Sequence, residues 1–309
     1  MKHFINLKDI PTNDLRKILI DAKNRKKLRK NLSNLDIDKD SPLKGKLLIQ
    51  MFEKSSLRTR LSFYLAIKQL GGSALTLRAD ELHLSKGGES IEDTAKILSN
   101  FGNAFMLRTD NEKKLEEFKK YLSIPMINGL SPSSHPTQIL SDIFTIEEIK
   151  KKQISKLNVT WIGDSNNVLN SLIAASIKFS FKLNIGCPKS YQPKKKILRY
   201  IKSNKNKIFI FNDPKKAAKE AEVIFSDKVI SMNDKVNKTR KLNHFKKFKI
   251  DKNLMNYAKK DCIFLHCLPR GKEVDEKVFL SKKSKVWQQA INRIHVQKSI
   301  LLYALGKLR

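Results

Sequence analysis

Cysteine is scarce in this sequence, and the glycine-rich loops that bind nucleotides are missing from it. Only three of the 309 residues are cysteines, and Cys187, Cys262 and Cys267 lack the CxxC or Cys/His spacing suited to zinc. A sparse, odd set of cysteines indicates a reducing compartment and no structural disulfides. Neither GxGxxG nor GxxxxGK(S/T) occurs, which argues against NAD and ATP as ligands.

Long apolar runs are also missing. No segment reaches the roughly 18 uncharged residues of a membrane span. The charged residues Lys2, Lys8 and Asp9 interrupt the first twelve positions, so no targeting segment is expected there. These patterns predict a soluble, cytoplasmic protein without a membrane partner.

Acidic residues are few compared with basic ones. The 63 Lys and Arg against 30 Asp and Glu give a formal net charge of +33. Such a charge concentrates anionic substrates and can attract nucleic acid. The lysine runs are spread along the chain and lack the interleaved aromatic residues of a base-stacking surface. We therefore expect no specific nucleic-acid binding and keep it as the alternative to an enzyme acting on anions.

The chain length predicts two domains of about 150 residues each. After an amphipathic helix over 14–32, short apolar strands alternate with helices, as is typical of parallel sheets covered by helices. Predicted strands are 47–52, 74–77, 104–107, 125–127, 157–162, 182–186, 207–211, 222–225 and 262–265. Predicted helices are 61–70, 90–101, 112–121, 135–152, 168–179, 194–203, 238–248 and 286–308.

This pattern predicts an α/β protein with two doubly wound parallel-sheet lobes and helices on both faces of each sheet. The first lobe is residues 1–147 and the second is residues 148–287. The helix after His135 joins the lobes, and a C-terminal helix over 288–309 is expected to pack back on the first lobe.

The pentapeptide Ser56-Leu57-Arg58-Thr59-Arg60 lies between a predicted strand and a helix expected to begin near Leu61. A helix N-terminus offers unpaired N–H groups and a positive dipole end, and hydroxyls and guanidiniums match phosphate oxygens. Taken alone, a pentapeptide rich in Ser, Thr and Arg is more often a capped, basic first turn of a surface helix. Two later segments, 135–138 and 266–270, favour the anion-binding interpretation.

Those segments carry the other candidate side chains. His135 and Gln138 lie one helical turn apart and could hold the carbonyl and amide of a small ligand, although His135 could be only a cap. Cys267 ends a buried strand and is either a nucleophile or a small apolar core residue. Asn166 and Asn167 follow another strand, where doubly wound folds bind ligands, or are turn and cap residues.

Six motifs in register along nearly the whole chain closely resemble those of ornithine carbamoyltransferases. They are Phe52 to Arg60, Met106 to Thr109, His135 to Gln138, Asp227 with Ser231-Met232, His266 to Arg270, and Asn292-Arg293. The resemblance implies transfer of a carbamoyl group from carbamoyl phosphate to L-ornithine, with L-citrulline and phosphate as products, in arginine biosynthesis. It also implies no metal or organic cofactor, and a homotrimer or a multiple of trimers.

By position, the resemblance assigns carbamoyl phosphate to the first lobe and ornithine to the second. Carbamoyl phosphate would be held by Ser56, Leu57 through its backbone N–H, Arg58, Thr59, Arg108, His135, Gln138 and Arg293. Ornithine would be held by Asn167, Asp227, Ser231 and Met232, with Cys267 and Leu268 facing its δ-amine. The expected catalytic residues are Arg108, His135 and Cys267.

The sequence departs from the family pattern at several positions. Leu57 stands where the family usually has threonine, Val229 where it has tryptophan, and Asn233 where it has glycine. The glutamine that a neighbouring subunit usually supplies has no clear counterpart, and His83 and Lys86 are the nearest polar candidates.

The acceptor has alternatives. Aspartate, the acceptor of the related aspartate carbamoyltransferases, would call for guanidiniums, whereas Asp227 and Cys267 suit a cationic acceptor. Putrescine and N-acetylornithine remain alternative acceptors, because the side chains at the far end of the acceptor pocket are not identified.

Overall fold

The computed structural model describes residues 2–78, 88–204, 207–230 and 237–308. The chain forms two compact units, Met1–Phe144 with Ala290–Arg309, and Thr145–Gln289. Each unit has its own parallel sheet. Among the described residues, no helix is long and apolar enough to cross a membrane.

The first unit contains a four-stranded sheet. Its strands are β1 Leu47–Phe52, β2 Ser73–Arg78, β3 Ala104–Arg108 and β4 Met126–Leu130, and its helices are α1 Thr12–Leu28, α2 Leu57–Gln69, α3 Ile91–Phe101, α4 Glu112–Tyr121 and the start of α5 Pro136–Lys150. The strand order is β2-β1-β3-β4, and every pairing is parallel. Chain order reverses between β1 and β3, so their carboxyl ends form the crevice where doubly wound sheets bind ligands. Phe52 pairs with Arg108 at this edge.

The second unit contains a five-stranded sheet. Its strands are β5 Asn158–Ile162, β6 Lys182–Gly186, β7 Ile208–Phe211, β8 Val223–Asp227 and β9 Ile263–Cys267. Its helices are α6 Asn167–Phe179, α7 Lys195–Ser203, α8 Pro214–Ala218, α9 Lys238–Phe245, α10 Lys252–Met255, α11 Glu276–Phe279 and the start of α12 Val286–Ala304. The order β7-β6-β5-β8-β9 places the reversal between β5 and β8, again at a pair of carboxyl strand ends.

The central strands of both sheets are buried on both faces, as parallel sheets covered by helices require. In the first unit, Ile49, Met51, Phe105 and Leu107 pack with Phe118 of α4. In the second unit, Ile224 and Phe264 lie in one cluster with side chains from the α8 to α11 region. The predicted α/β fold with two parallel sheets is confirmed.

Several details of the prediction were wrong. Helix α1 ends at Leu28, not at residue 32. Helix α2 begins at Leu57, not near Leu61, so the anion-binding candidates form its first turn. The short helices α8, α10 and α11 were not predicted. Each has only four or five residues, which is too short for a helical pattern of apolar residues to be recognised in the sequence. The last helix ends at Ala304, followed by Gly306 in the left-handed conformation with φ of +67°, a common helix stop.

Candidate functional site

The turn from β1 into α2 presents a helix N-terminus at the crevice of the first sheet. Ser56 is the N-cap in extended conformation, and its hydroxyl makes no capping hydrogen bond. The first-turn N–H groups of α2 have no partners one turn earlier in the helix, so they can face an anion. The side chain of Leu57 is 71% exposed.

Thr59 joins two arginines from distant parts of the chain. Its buried Oγ1 accepts hydrogen bonds from Arg293 Nη2 (2.8 Å) and Arg108 Nη1 (3.4 Å). Arg293 Nη1 donates to Gln138 Oε1 (2.7 Å), and Gln138 Nε2 donates to Asp142 Oδ1 (2.8 Å). The structure therefore brings together four candidates, Thr59, Arg108, Gln138 and Arg293, from three helices and one strand.

His135 lies directly before α5 and is buried. Its pKa is held well below the usual value, first by burial and then by the charges of Arg293, Arg108 and Arg58. The imidazole is therefore neutral at physiological pH. A neutral imidazole keeps one N–H donor, so it can polarise a carbonyl group without adding a charge.

A second layer of contacts holds the loop after β1 against the end of β3. The Glu53 N–H donates to the Arg108 carbonyl (3.0 Å), and the Glu53 carboxylate accepts hydrogen bonds from Thr109 Oγ1 and Lys114 Nζ. Lys54 pairs with Asp110 (2.8 Å). Sequence reasoning gave Glu53 no role of its own, because its partners lie more than fifty residues away.

In the second unit, polar side chains meet at the carboxyl ends of β8 and β9. Asp227 and Cys267 are the last residues of these strands and pair with each other in register. Asn166 caps α6 by accepting from the N–H groups of Val168 and Leu169, and its Nδ2 donates to Asp227 Oδ2 (2.7 Å). Burial raises the pKa of Asp227 in spite of lowering contributions from His266 and Asn166.

Asn166 is thus the residue that fixes the Asp227 carboxylate, while the predicted ligand Asn167 begins α6. The sequence allowed Asn166 to be a cap, and that interpretation is confirmed. Its second bond was not foreseeable, because the local sequence contains no sign of a partner 61 positions further on.

Cys267 and His266 point to opposite faces of β9. Cys267 is partly exposed, whereas His266 is buried with Nε2 3.0 Å from Glu273 Oε1. Burial acts to raise the pKa of Glu273, but hydrogen bonds from His266 and the Gly271 N–H hold it below the usual value. The second Glu273 oxygen accepts from the Val229 N–H (3.4 Å). Glu273 therefore ties the loop after Cys267 to the end of β8.

The other candidates divide into two groups. Leu268 packs against the core of the second unit, and Val229 lies inside that core. Ser231, Met232 and Asn233 lie outside the described residues, as do His83 and Lys86. In the described parts of the chain, no cluster of three or more His, Cys, Asp or Glu side chains could hold a metal ion.

Comparisons with known proteins agree with this geometry. Residues 2–148 match the family model for the aspartate/ornithine carbamoyltransferase carbamoyl-P binding domain, and residues 155–304 match that for the Asp/Orn binding domain. The chain is 39% identical to an ornithine carbamoyltransferase of Rhizorhabdus wittichii over 99% of each chain. It is 40% identical to one of Caulobacter vibrioides, over 99% of this chain and 98% of the other.

Two solved structures are similar throughout. Ornithine carbamoyltransferase from Pyrococcus furiosus has a TM-score of 0.89 at 36% identity, covering 100% of this chain and 98% of that one. Anabolic ornithine carbamoyltransferase from Campylobacter jejuni has a TM-score of 0.89 at 36% identity, with both chains covered completely.

Proposed function

Because the chain belongs to the aspartate/ornithine carbamoyltransferase family, we propose that it transfers the carbamoyl group of carbamoyl phosphate to the δ-amine of L-ornithine, releasing L-citrulline and phosphate. That it is a carbamoyltransferase follows from its family. The observation that supports ornithine as the acceptor is the pair formed by Asp227 and Cys267 at one strand edge, since a carboxylate suits a cationic acceptor.

In the proposal, the first domain, 1–147 with 288–309, binds carbamoyl phosphate. Ser56, Arg58 and the first-turn N–H groups of Leu57 and Thr59 hold the phosphate. This assignment is supported by a helix N-terminus with an uncommitted cap hydroxyl, an arrangement suited to anions. A guanidinium adds charge-assisted hydrogen bonds to phosphate oxygens.

The carbamoyl end is held by Arg108, His135, Gln138 and Arg293. Thr59 Oγ1 already accepts from both arginines, and a hydroxyl has two acceptor sites and one donor. Its hydrogen is therefore left to donate toward the carbamoyl oxygen. Negative charge grows on that oxygen when the amine attacks, and donors placed in advance stabilise it.

Ornithine occupies the second domain, 148–287. Asn167, Asp227, Ser231 and Met232 bind its amino-acid end, and Cys267 with Leu268 faces its δ-amine. An unperturbed amine of this kind has a pKa of about 10.4, so the site must favour the neutral form. The amine attacks the carbamoyl carbon directly, and the phosphate leaves into the cationic pocket, without a protein nucleophile.

We further propose that the enzyme works in arginine biosynthesis in the cytoplasm and assembles as a homotrimer or a multiple of trimers. The Campylobacter relative is described as anabolic. Helix α2 exposes Leu57, Leu61 and Tyr64 by 71%, 50% and 42%, on one face at helical spacing. An apolar stripe of this kind is typical of a subunit interface, and light scattering of the purified protein measures the assembly.

One assay tests the proposed reaction. Product formation from carbamoyl phosphate is compared with L-ornithine, putrescine, N-acetylornithine and L-aspartate as acceptors. Citrulline from ornithine is expected to form with the highest kcat/KM. Faster transfer to another acceptor would replace ornithine. No transfer to any of them, together with salt-sensitive binding of polynucleotides, would favour the nucleic-acid alternative.

A further inference from the structure

Three cations and three carboxylates meet inside the first unit, and the proposed reaction uses none of them. We call this group the Asp38 cluster; its members are Asp21, Arg25, Arg29, Asp38, Asp40 and Lys298. Asp38 bonds to Lys298 (2.6 Å), Arg29 (2.6 Å) and Arg25 (3.2 Å). Arg25 also pairs with Asp40 (2.8 Å) and Asp21 (3.2 Å). The six charges balance, so the cluster as a whole is neutral.

Lys298 is the unusual member, because its side chain is completely buried. Burying an ammonium group is unfavourable unless it is paired and hydrogen-bonded. Its Nζ meets these needs with Asp38 Oδ2 at 2.6 Å and Gln69 Oε1 at 3.4 Å. The Asp38 N–H in turn donates to the Gln69 carbonyl (2.7 Å). Lys298 of α12 is therefore tied to the C-terminal end of α2.

The same two helices are also bonded at the other end of α2, beside the proposed phosphate site. Arg293 of α12 donates to Thr59, in the first turn of α2. Five residues, about 7.5 Å of helix, separate Arg293 from Lys298, and ten residues, about 15 Å, separate Thr59 from Gln69. Because a helix is stiff over this length, the tie at Lys298 is one of the contacts that set how far the Arg293 side chain must reach.

We propose that Lys298 is a positioning residue for Arg293, holding α12 in register with α2 through Asp38 and Gln69. The inference rests on the proposed function, in which Arg293 contacts the carbamoyl end of carbamoyl phosphate. If Lys298 only braced the fold, its loss would alter stability and leave the Arg293 guanidinium in place. The two roles differ in what happens to ligand discrimination.

The ratio of two dissociation constants separates these roles. Calorimetric titrations measure the dissociation constants of carbamoyl phosphate and of inorganic phosphate on the same protein. The two ligands are compared because only the first has a carbamoyl group. Lys298→Met should raise the dissociation constant of carbamoyl phosphate by about three- to thirtyfold and that of inorganic phosphate much less. The matched control is Ser299→Ala, which removes a bond from α12 to Asp21 (2.6 Å) and leaves both contacts with α2. The ratio of the two dissociation constants in Ser299→Ala should equal that of the wild type.

A double-mutant cycle tests whether the effect passes through Arg293. In an Arg293→Ala background, Lys298→Met should cause no further loss of carbamoyl phosphate affinity. An equal loss in both backgrounds, or an unchanged ratio in the single variant, would overturn the inference. If Lys298→Met fails to fold, Gln69→Leu removes the direct bond between Lys298 and α2 (3.4 Å) and keeps the link through Asp38, so the dissociation constant of carbamoyl phosphate should rise in the same direction by a smaller factor, with that of inorganic phosphate changed less. A wild-type protein that binds neither ligand would refute the proposed function, and this inference with it.

Discussion

Replacing Lys298 by methionine should change how the stability of the protein depends on pH. Burial lowers the pKa of Lys298 to about 8 from 10.5, with help from Arg29 and Arg25 and against the opposing effect of Asp38. Methionine has a similar length and no charge. Asp38 keeps both of its arginine partners in this variant, so no carboxylate is left buried alone.

The direction in which stability changes with pH follows from the number of protons that the folded and unfolded states bind. In the unfolded chain the lysine keeps its proton up to about pH 10.4, whereas the folded protein releases it near pH 8. Between these values the unfolded state binds more protons, so the lysine's contribution to stability rises with pH. Below pH 8 the folded protein carries the whole cost of burying the charge. Lowering the pKa from 10.5 to about 8 corresponds to about 3 kcal/mol.

We therefore expect the free energy of unfolding of wild type, relative to Lys298→Met, to increase by about 2 to 3 kcal/mol between pH 7 and pH 10. At pH 7 the variant should be as stable as wild type or more so, as is often seen when buried ion pairs give way to apolar residues. Denaturant titrations followed by far-ultraviolet circular dichroism at pH 7, 8, 9 and 10 measure both proteins, with equal m-values as the check on comparability.

Ser299→Ala serves as the control here too, because it removes a contact with the Asp38 cluster and no titratable group. Its difference from wild type should not change with pH. If the difference between wild type and Lys298→Met were equally flat, Lys298 would be keeping its proton in the folded protein up to pH 10. Burial would then not lower the pKa of Lys298.

Three further substitutions test the proposed site. Arg58→Ala should lower the affinity for carbamoyl phosphate and for inorganic phosphate by roughly ten- to hundredfold, because a charge-assisted contact is lost. The Tm should not change. A near-normal affinity in calorimetry would rule out Arg58 as a phosphate ligand. Asp227→Asn should raise the KM for ornithine far more than that for carbamoyl phosphate, and equal losses would indicate a structural role. Cys267→Ser should change ornithine kinetics and the pH profile of kcat while Tm stays nearly the same; a mainly lower Tm would indicate packing. Trapping a carbamoylated Cys267 in the wild type during turnover would refute direct attack by the amine.

Local sequence patterns determined most of the elements. Short apolar runs and the helical segments between them predicted the nine strands of the described residues within one or two residues at nearly every boundary. These signals are strong because a strand buried on both faces is a short continuous apolar run, whereas a helix that buries one face has apolar residues at helical spacing. The candidate residues could be named by resemblance for the same reason, since each motif is a short contiguous segment at a strand or helix end.

Only the tertiary structure decided which of these residues touch. Thr59 as the common acceptor of Arg108 and Arg293 depends on contacts between positions 49 and 234 residues apart. Likewise, nothing near Lys298 in the sequence distinguishes it from the other lysines of a strongly basic chain. Its burial and its carboxylate partner arise from the packing of α12, because the environment of a charge is set by whatever the fold brings around it and not by its sequence neighbours.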